Sequence, residues 1–345
     1  MKITREINGR IKGMLKVELH RHLEGCVRPG TVIDIAKKHD LKLPTFDRGE
    51  FEKIYKLAKP MKSLREVLRM FNLAQNSFIS YETIEQITCE AIEDACENEN
   101  IILLELRYSP DFMLQGKNLD WNESLQIIKS VAEYFERTRN ILCGIIIIAS
   151  RSYGMDSVLK TLDFAIKNRR NVIGFDLADN ESDYPSRLYE NVAKKLRMER
   201  IPLTVHSGEE GDFSQVAETV EYLSPSRIGH GVKIAEDETG ETMKMVKDSD
   251  ITIEANPFSN YLTNAVKSLE EHPLKKFIDY GLKVSIGADD PEILGTNLNK
   301  EYTLCLEKMN LSLEDILHTL KCAVASSFLE KDKKQEAFKL LGLKH

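Results

Sequence analysis

The chain is expected to fold as a (β/α)8 TIM barrel with extra helices capping the C-terminal mouth. Three observations predict it. Eight short apolar runs alternate with longer stretches of helical periodicity. Some runs, GIIIIA at 144–149 above all, are continuously apolar, as parallel strands buried on both faces are. Ionisable residues gather where the runs stop, and in a barrel those strand ends share one face. A doubly wound open sheet is the competing fold, but no glycine-rich phosphate turn follows the first run.

The predicted strands are MLKVELH (14–20), IILLELRYS (101–109), LCGIIIIAS (142–150), VIGFDLA (172–178), PLTVHS (202–207), RIGHG (227–231), ITIEANP (251–257) and LKVSIGADD (282–290). RIGHG is short and reads as a strand only through its neighbours. Alternate strand residues share a face about 7 Å apart, so His20 and His22 can converge on one ligand. Ile84, Ile87, Ala91, Ile92 and Ala95 follow helical spacing, as do Leu159, Leu162, Ala165 and Ile166. Ser63 with Glu66 reads as a capping box. Helices are also expected over Leu313 to Phe328 and Lys333 to Leu341. The first crossover, 25–100, is too long for one helix. It is expected to form several, as a lid that excludes water. Residues 1–345 are thus read as a single metal-dependent barrel domain, with 25–100 as a helical insertion between strands one and two.

Composition narrows the function classes. Lys and Arg total 48 against 55 Asp and Glu, a net charge of −7. There is no long basic run; Lys331 to Lys334 is short and broken by Asp332. Binding to nucleic acid or to an anionic membrane is not expected. The N-terminal stretch shows no apolar signal region, and no run is long enough to span a bilayer. Six scattered cysteines without close pairs read as reduced thiols, several in the core, which fits a cytoplasmic protein. Nothing in the chain specifies an oligomeric state.

The strand ends carry the chemistry. Strand one ends in His20 and His22, and strand four reaches Asp176 and Asp179. Strand five ends in HSGEEG, with His206, Glu209 and Glu210. Strand six holds His230, and strand eight ends in Asp289 and Asp290. His39, His272, His318 and His345 lie elsewhere and are read as surface or helix residues. Three imidazoles and one carboxylate suit Zn²⁺, with a position left for water. The proposed ligands are His20, His22, His206 and Asp289. Such a cation lowers the pKa of bound water toward neutrality. His230 is the candidate base or orienting group, and Glu209 the candidate acid, kept protonated by burial. A helix N-terminal carboxylate is the plainer reading of Glu209. Gly208 permits a tight turn. Asp290 is read as a second-layer group or a substrate acceptor, or more plainly as a loop acid.

HRHLEG, ELRYSP, TVHSGEEG, RIGHG, PFSN and SIGADDP, in this order from about residue 15 to 297, resemble the adenosine deaminase family of metal-dependent amidohydrolases. The resemblance implies one Zn²⁺ per chain on His20, His22, His206 and Asp289. It implies that Glu209 protonates purine N1, that His230 orients or deprotonates the water, and that Asp290 contacts ring N7. The implied reaction is hydrolytic deamination of a small-molecule purine nucleoside. Adenosine, and by extension deoxyadenosine, becomes inosine with loss of ammonia, in purine salvage.

Three departures from the family pattern bear on substrate. HLDG reads HLEG here, so Glu24 stands where an aspartate meets the ribose 5′-hydroxyl. LAGDE reads LADNE, so Asp179 replaces a glycine whose N–H meets purine N3. CPxSN reads NPFSN, so Asn256 replaces cysteine, a change expected to affect packing. The first two leave adenine, or a modified nucleoside such as aminodeoxyfutalosine, as alternative substrates. A barrel hydrolase of esters or phosphoesters is the alternative of another class. Many such enzymes bridge two metals with a lysine carbamate at strand four, and GFDLADNE offers no lysine.

Overall fold

In the computed structural model, which describes residues 5–61 and 64–343, the predicted strands fold in sequence order. They are β1 (Lys16–His22), β2 (Ile101–Tyr108), β3 (Leu142–Ser150), β4 (Gly174–Ala178), β5 (Leu203–Ser207), β6 (Arg227–His230), β7 (Thr252–Ala255) and β8 (Lys283–Ile286). Each pairs in parallel with the next, with helical segments in every crossover. Closure comes just past β8, where Arg21 bridges to Asp289. His22 N–H donates to the Asp289 carbonyl at 2.9 Å, and Asp289 N–H to the His20 carbonyl at 3.1 Å. The TIM barrel expectation is met. Closure also explains why β1 runs two residues beyond its predicted end: it is bonded on both sides there.

Two kinds of core result from the strands' alternation. Outside the barrel, Val17, Leu19, Ile145, Val205, Ile253 and Val284 join one buried apolar cluster with helix residues such as Ile87, Ile128, Leu162 and Leu320. Inside, β2 turns Glu105 and Arg107 toward the axis, where they meet Arg227, Asp176 and Glu254. These charges are fully buried and paired with one another.

The 25–100 segment carries helices Pro29–Lys38, Arg48–Tyr55, Leu64–Gln75 and Tyr81–Glu93. Ser80 and Thr83 form the capping box of the last of these. The capping box expected at Ser63 and Glu66 falls outside the described residues. The segment reaches across the barrel. Leu57 N–H donates to the Ile293 carbonyl at 2.8 Å, and Met61 N–H to the Leu262 carbonyl at 2.9 Å. The C-terminal helices are Leu313–Ser326 and Lys331–Leu340. Among the described residues, no helix is long and apolar enough to cross a membrane.

Two expectations are corrected. Leu159 is exposed at 45%, because the buried stripe of its helix runs through Val158, Leu162 and Ala165 instead. His272, read as a surface or helix residue, is buried in the loop after β7, between Asn260 and the Leu274 amide.

Candidate active site

The C-terminal strand ends bring His20, His22 and Asp289 together. His20 Nε2 lies 3.2 Å from His22 Nε2 and 3.2 Å from Asp289 Oδ1, and His22 Nε2 lies 3.3 Å from the same oxygen. The His206 ring centre is 4.7 Å from that of His20, and the His230 ring centre is 5.1 Å from that of His206. Two overlapping donor groups are therefore within reach of one ion: His20, His22 and Asp289, and His20, His206 and His230.

Carboxylates behind two of the rings set their tautomers. Glu254 Oε2 is 2.6 Å from His20 Nδ1, and Asp176 Oδ1 is 3.0 Å from His206 Nδ1. Burial alone would raise the Glu254 carboxyl, but Arg107 and Arg227 hold it well below the carboxylate range. Asp176 is likewise raised by burial but drawn down further by His206 and Arg107. An ionised carboxylate only accepts, so each places the proton on Nδ1 and leaves the Nε2 lone pair free. The donor chemistry suits a divalent cation of the zinc type.

Glu209 sits on a turn built for it. Gly208 has φ +73°, a left-handed conformation that favours glycine, and an added Cβ would lie 2.7 Å from Val216 Cγ2. The Glu181 carboxylate accepts the backbone N–H groups of Gly208, Glu209, Glu210 and Gly211, at 2.8, 2.8, 3.0 and 3.1 Å. Four converging amides fix the turn as they would fix a bound anion. Burial pushes the Glu209 carboxyl well up, reinforced by Asp289 and Glu181. Its Oε2 stands 3.5 Å from His230 Nε2. The helix that follows starts only at Phe213, so Glu209 is a turn residue and not a helix N-terminal one.

Glu24, Asp179 and Asp290 line the same cavity, of about 460 Å³. Glu24 Oε1 accepts from Ser109 N–H at 2.8 Å, and its Oε2 is buried without a partner among the described residues. Burial pushes this carboxyl up to about 7. Asp290 Oδ1 is also buried and unpartnered. A side chain at Gly25 would put its Cβ 2.0 Å from that oxygen, so only glycine admits Asp290 here. Asp179 adopts φ 78°, a left-handed conformation that favours glycine. Its carboxylate accepts from Ser150 Oγ at 2.5 Å and from Asn180 N–H at 2.8 Å. Asn256 does more than fill space: its amide is 3.5 Å from His230 Nδ1.

Glu254, Arg107 and Glu181 went unrecognised as site residues in the sequence. The signal for the first two was present. ELRY has charges at alternate positions and ITIEA one charge in an apolar strand run, and a charge in a doubly buried strand needs a partner. Glu181 carried no such mark.

The family model for adenosine deaminase matches residues 15–341. The chain belongs to the adenosine deaminase family. It is 32% identical over 330 residues to the adenosine deaminase of Plasmodium gallinaceum, covering 94% of this chain and 90% of that one. Identity to the adenosine deaminase of Clostridium kluyveri is 31% over 328 residues, covering 94% and 93%. Among solved structures, an adenine deaminase from Arthrobacter aurescens superposes with a TM-score of 0.88 at 21% identity, covering 96% and 98%. A zinc-bound amidohydrolase from Burkholderia ambifaria gives 0.87 at 21%, covering 99% and 92%. The structural likenesses concern the fold. Family membership makes the chain a hydrolase of the deaminase type.

Proposed function

We propose that the protein hydrolytically deaminates adenosine, and deoxyadenosine, to inosine and ammonia, holding one Zn²⁺ per chain on His20, His22, His206 and Asp289. The observation that carries this reading is that His22, His206, Asp289 and Glu209 line one cavity, with His20 among the donor atoms of both metal-competent groups beside it. When bound there, Zn²⁺ lowers the pKa of water and makes a nucleophile available near neutrality.

The chain's own residues supply the rest. Glu209, held protonated by burial, gives its proton to purine N1 and so makes C6 electrophilic. Asp290 is pushed up by burial and by Asp289 beside it, and as a neutral acid it donates to ring N7. The Asp179 N–H faces purine N3, and the Gly208 turn lies against the ring. His22 and Glu24 border the ring and the ribose respectively. The Glu24 Oε2, without a partner among the described residues, is the acceptor for a sugar hydroxyl.

Two features favour a nucleoside over its alternatives. By water's share of about 30 Å³, a cavity of about 460 Å³ holds more than the ten heavy atoms of adenine. Its described lining includes Glu24, Asp179, Asp183, Glu209 and Asp290 and contains no lysine or arginine, which opposes a phosphate. Ammonia release from adenosine, deoxyadenosine, adenine, AMP and aminodeoxyfutalosine, with Glu209→Gln as control, tests the reading. Adenosine is expected to give the highest kcat/KM. Turnover of adenine alone would overturn it.

A further inference from the structure

His20 and His206 are backed by carboxylates, but His230 is not. Its Nδ1 faces two side-chain amides. Asn260 Nδ2 lies 2.9 Å away and Asn256 Nδ2 lies 3.5 Å away. Which way an amide points is decided by its other partner, and here the chain of partners can be followed to a fixed end. Asn260 Oδ1 is 3.1 Å from His272 Nε2. His272 Nδ1 is 3.1 Å from the Leu274 backbone nitrogen. A backbone N–H can only donate. His272 Nδ1 must therefore accept, and its proton sits on Nε2. That N–H donates to Asn260 Oδ1, which turns the Asn260 NH₂ toward His230. His230 Nδ1 in turn accepts, and its own proton is carried on Nε2. All members of the relay are buried: His272 at 5% exposure, Asn260 at 0% and His230 at 1%.

We infer that Asn260 and His272 are positioning residues that lock His230 as the Nε2–H tautomer, so that it presents a hydrogen-bond donor to the reacting centre.

Two consequences follow from hydrogen-bond chemistry. A protonated Nε2 has no lone pair for a metal, so the relay keeps His230 out of the ligand set although its ring is as close to the cluster as the others. The carboxylates behind His20 and His206 do the reverse. Similar rings 5 Å apart are thus sorted into ligands and donor by what stands behind each one. The second consequence concerns the base-or-orienter question left open by the sequence. With Nε2 already protonated, His230 holds a water or hydroxyl by donating to it and does not begin by taking its proton. This part rests on the deaminase reading, whereas the tautomer itself does not.

The test reads tautomers directly. Two-bond ¹⁵N–¹H correlation spectra of the Zn²⁺-loaded, ¹⁵N-histidine-labelled protein report which nitrogen of each ring carries the proton. Signals are assigned with His230→Ala and His272→Gln. Both His230 and His272 are expected as Nε2–H. In Asn260→Asp the carboxylate can only accept, so His230 is expected to switch to Nδ1–H. That variant should lose roughly tenfold to a hundredfold in kcat with little change in KM. Wild-type His230 protonated on Nδ1 would overturn the inference, as would an unchanged tautomer in folded Asn260→Asp. The wild-type spectrum decides even if the variant does not fold. Because it needs no substrate, it stands apart from the question of what the enzyme deaminates.

Discussion

The barrel interior and the barrel mouth are both rich in buried charge, yet they are built oppositely. In the interior, Arg107 meets Asp176 at 2.7 Å and Glu254 at 2.9 Å, and Arg227 meets Glu105 at 2.6 Å and Glu254 at 2.5 Å. Each acid there has a cation against it. At the mouth, past the ends of β1 and β8, Glu24 and Asp290 each keep a buried oxygen without a partner among the described residues, and Glu209, past β5, is pushed up by burial. Buried polar atoms are almost always satisfied, so exceptions need a reason. The difference teaches that paired charge is scaffold here, and unpaired acid is where a ligand completes the structure.

Several substitutions break or sharpen this contrast. Glu209→Gln should cost about 10² to 10⁴ in kcat and leave thermal stability unchanged or higher, since it removes a mouth acid that only catalysis needs. Steady-state kinetics with a melting curve checks both halves, and a melting point falling with activity would break the contrast. Arg227→Met should do the opposite. It strands Glu105 in the interior, leaves Glu254 with Arg107 alone, and should lower unfolding free energy by about 3–5 kcal/mol, measured by denaturant titration.

Glu254→Gln straddles the two regions, because Glu254 pairs with Arg107 below and His20 above. Metal affinity, read by competition with a chelator, should fall roughly tenfold to a hundredfold. His272 tests a third kind of burial, neutral and hydrogen-bonded. Burial pushes its imidazole down to about 3 from an ordinary 6.5. The unfolded chain takes up that proton first, so stability is present above pH 6.5 and is lost as pH falls. At about pH 5 the loss is about 2 kcal/mol. In His272→Gln, the difference in unfolding free energy between about pH 7 and about pH 5 should shrink by that amount.

How much of this was legible depended on the kind of signal. Strands such as LCGIIIIAS announce themselves because burial on both faces demands continuous apolar residues. His20, His22, His206, Glu209, His230, Asp289 and Asp290 could be selected because catalytic groups on a barrel must sit at strand ends. Glu254 was harder, since its place inside a strand run resembles a surface position until the barrel closes around it. Glu181 and His272 left no periodic trace. Each acts through contacts to residues distant along the chain: Glu181 to the amides of 208–211, and His272 to Asn260.

The sequence by itself determined the order of strands and helices, the family and the chemical types gathered at the mouth. These follow from local patterns of apolar and ionisable residues, which survive without knowledge of distance. Only the tertiary structure decided what stands behind each histidine, a carboxylate at His20 and His206 and an amide at His230. An imidazole's free nitrogen depends on what its other nitrogen touches, and Glu254, Asp176 and Asn260 reach that nitrogen only once the barrel has closed.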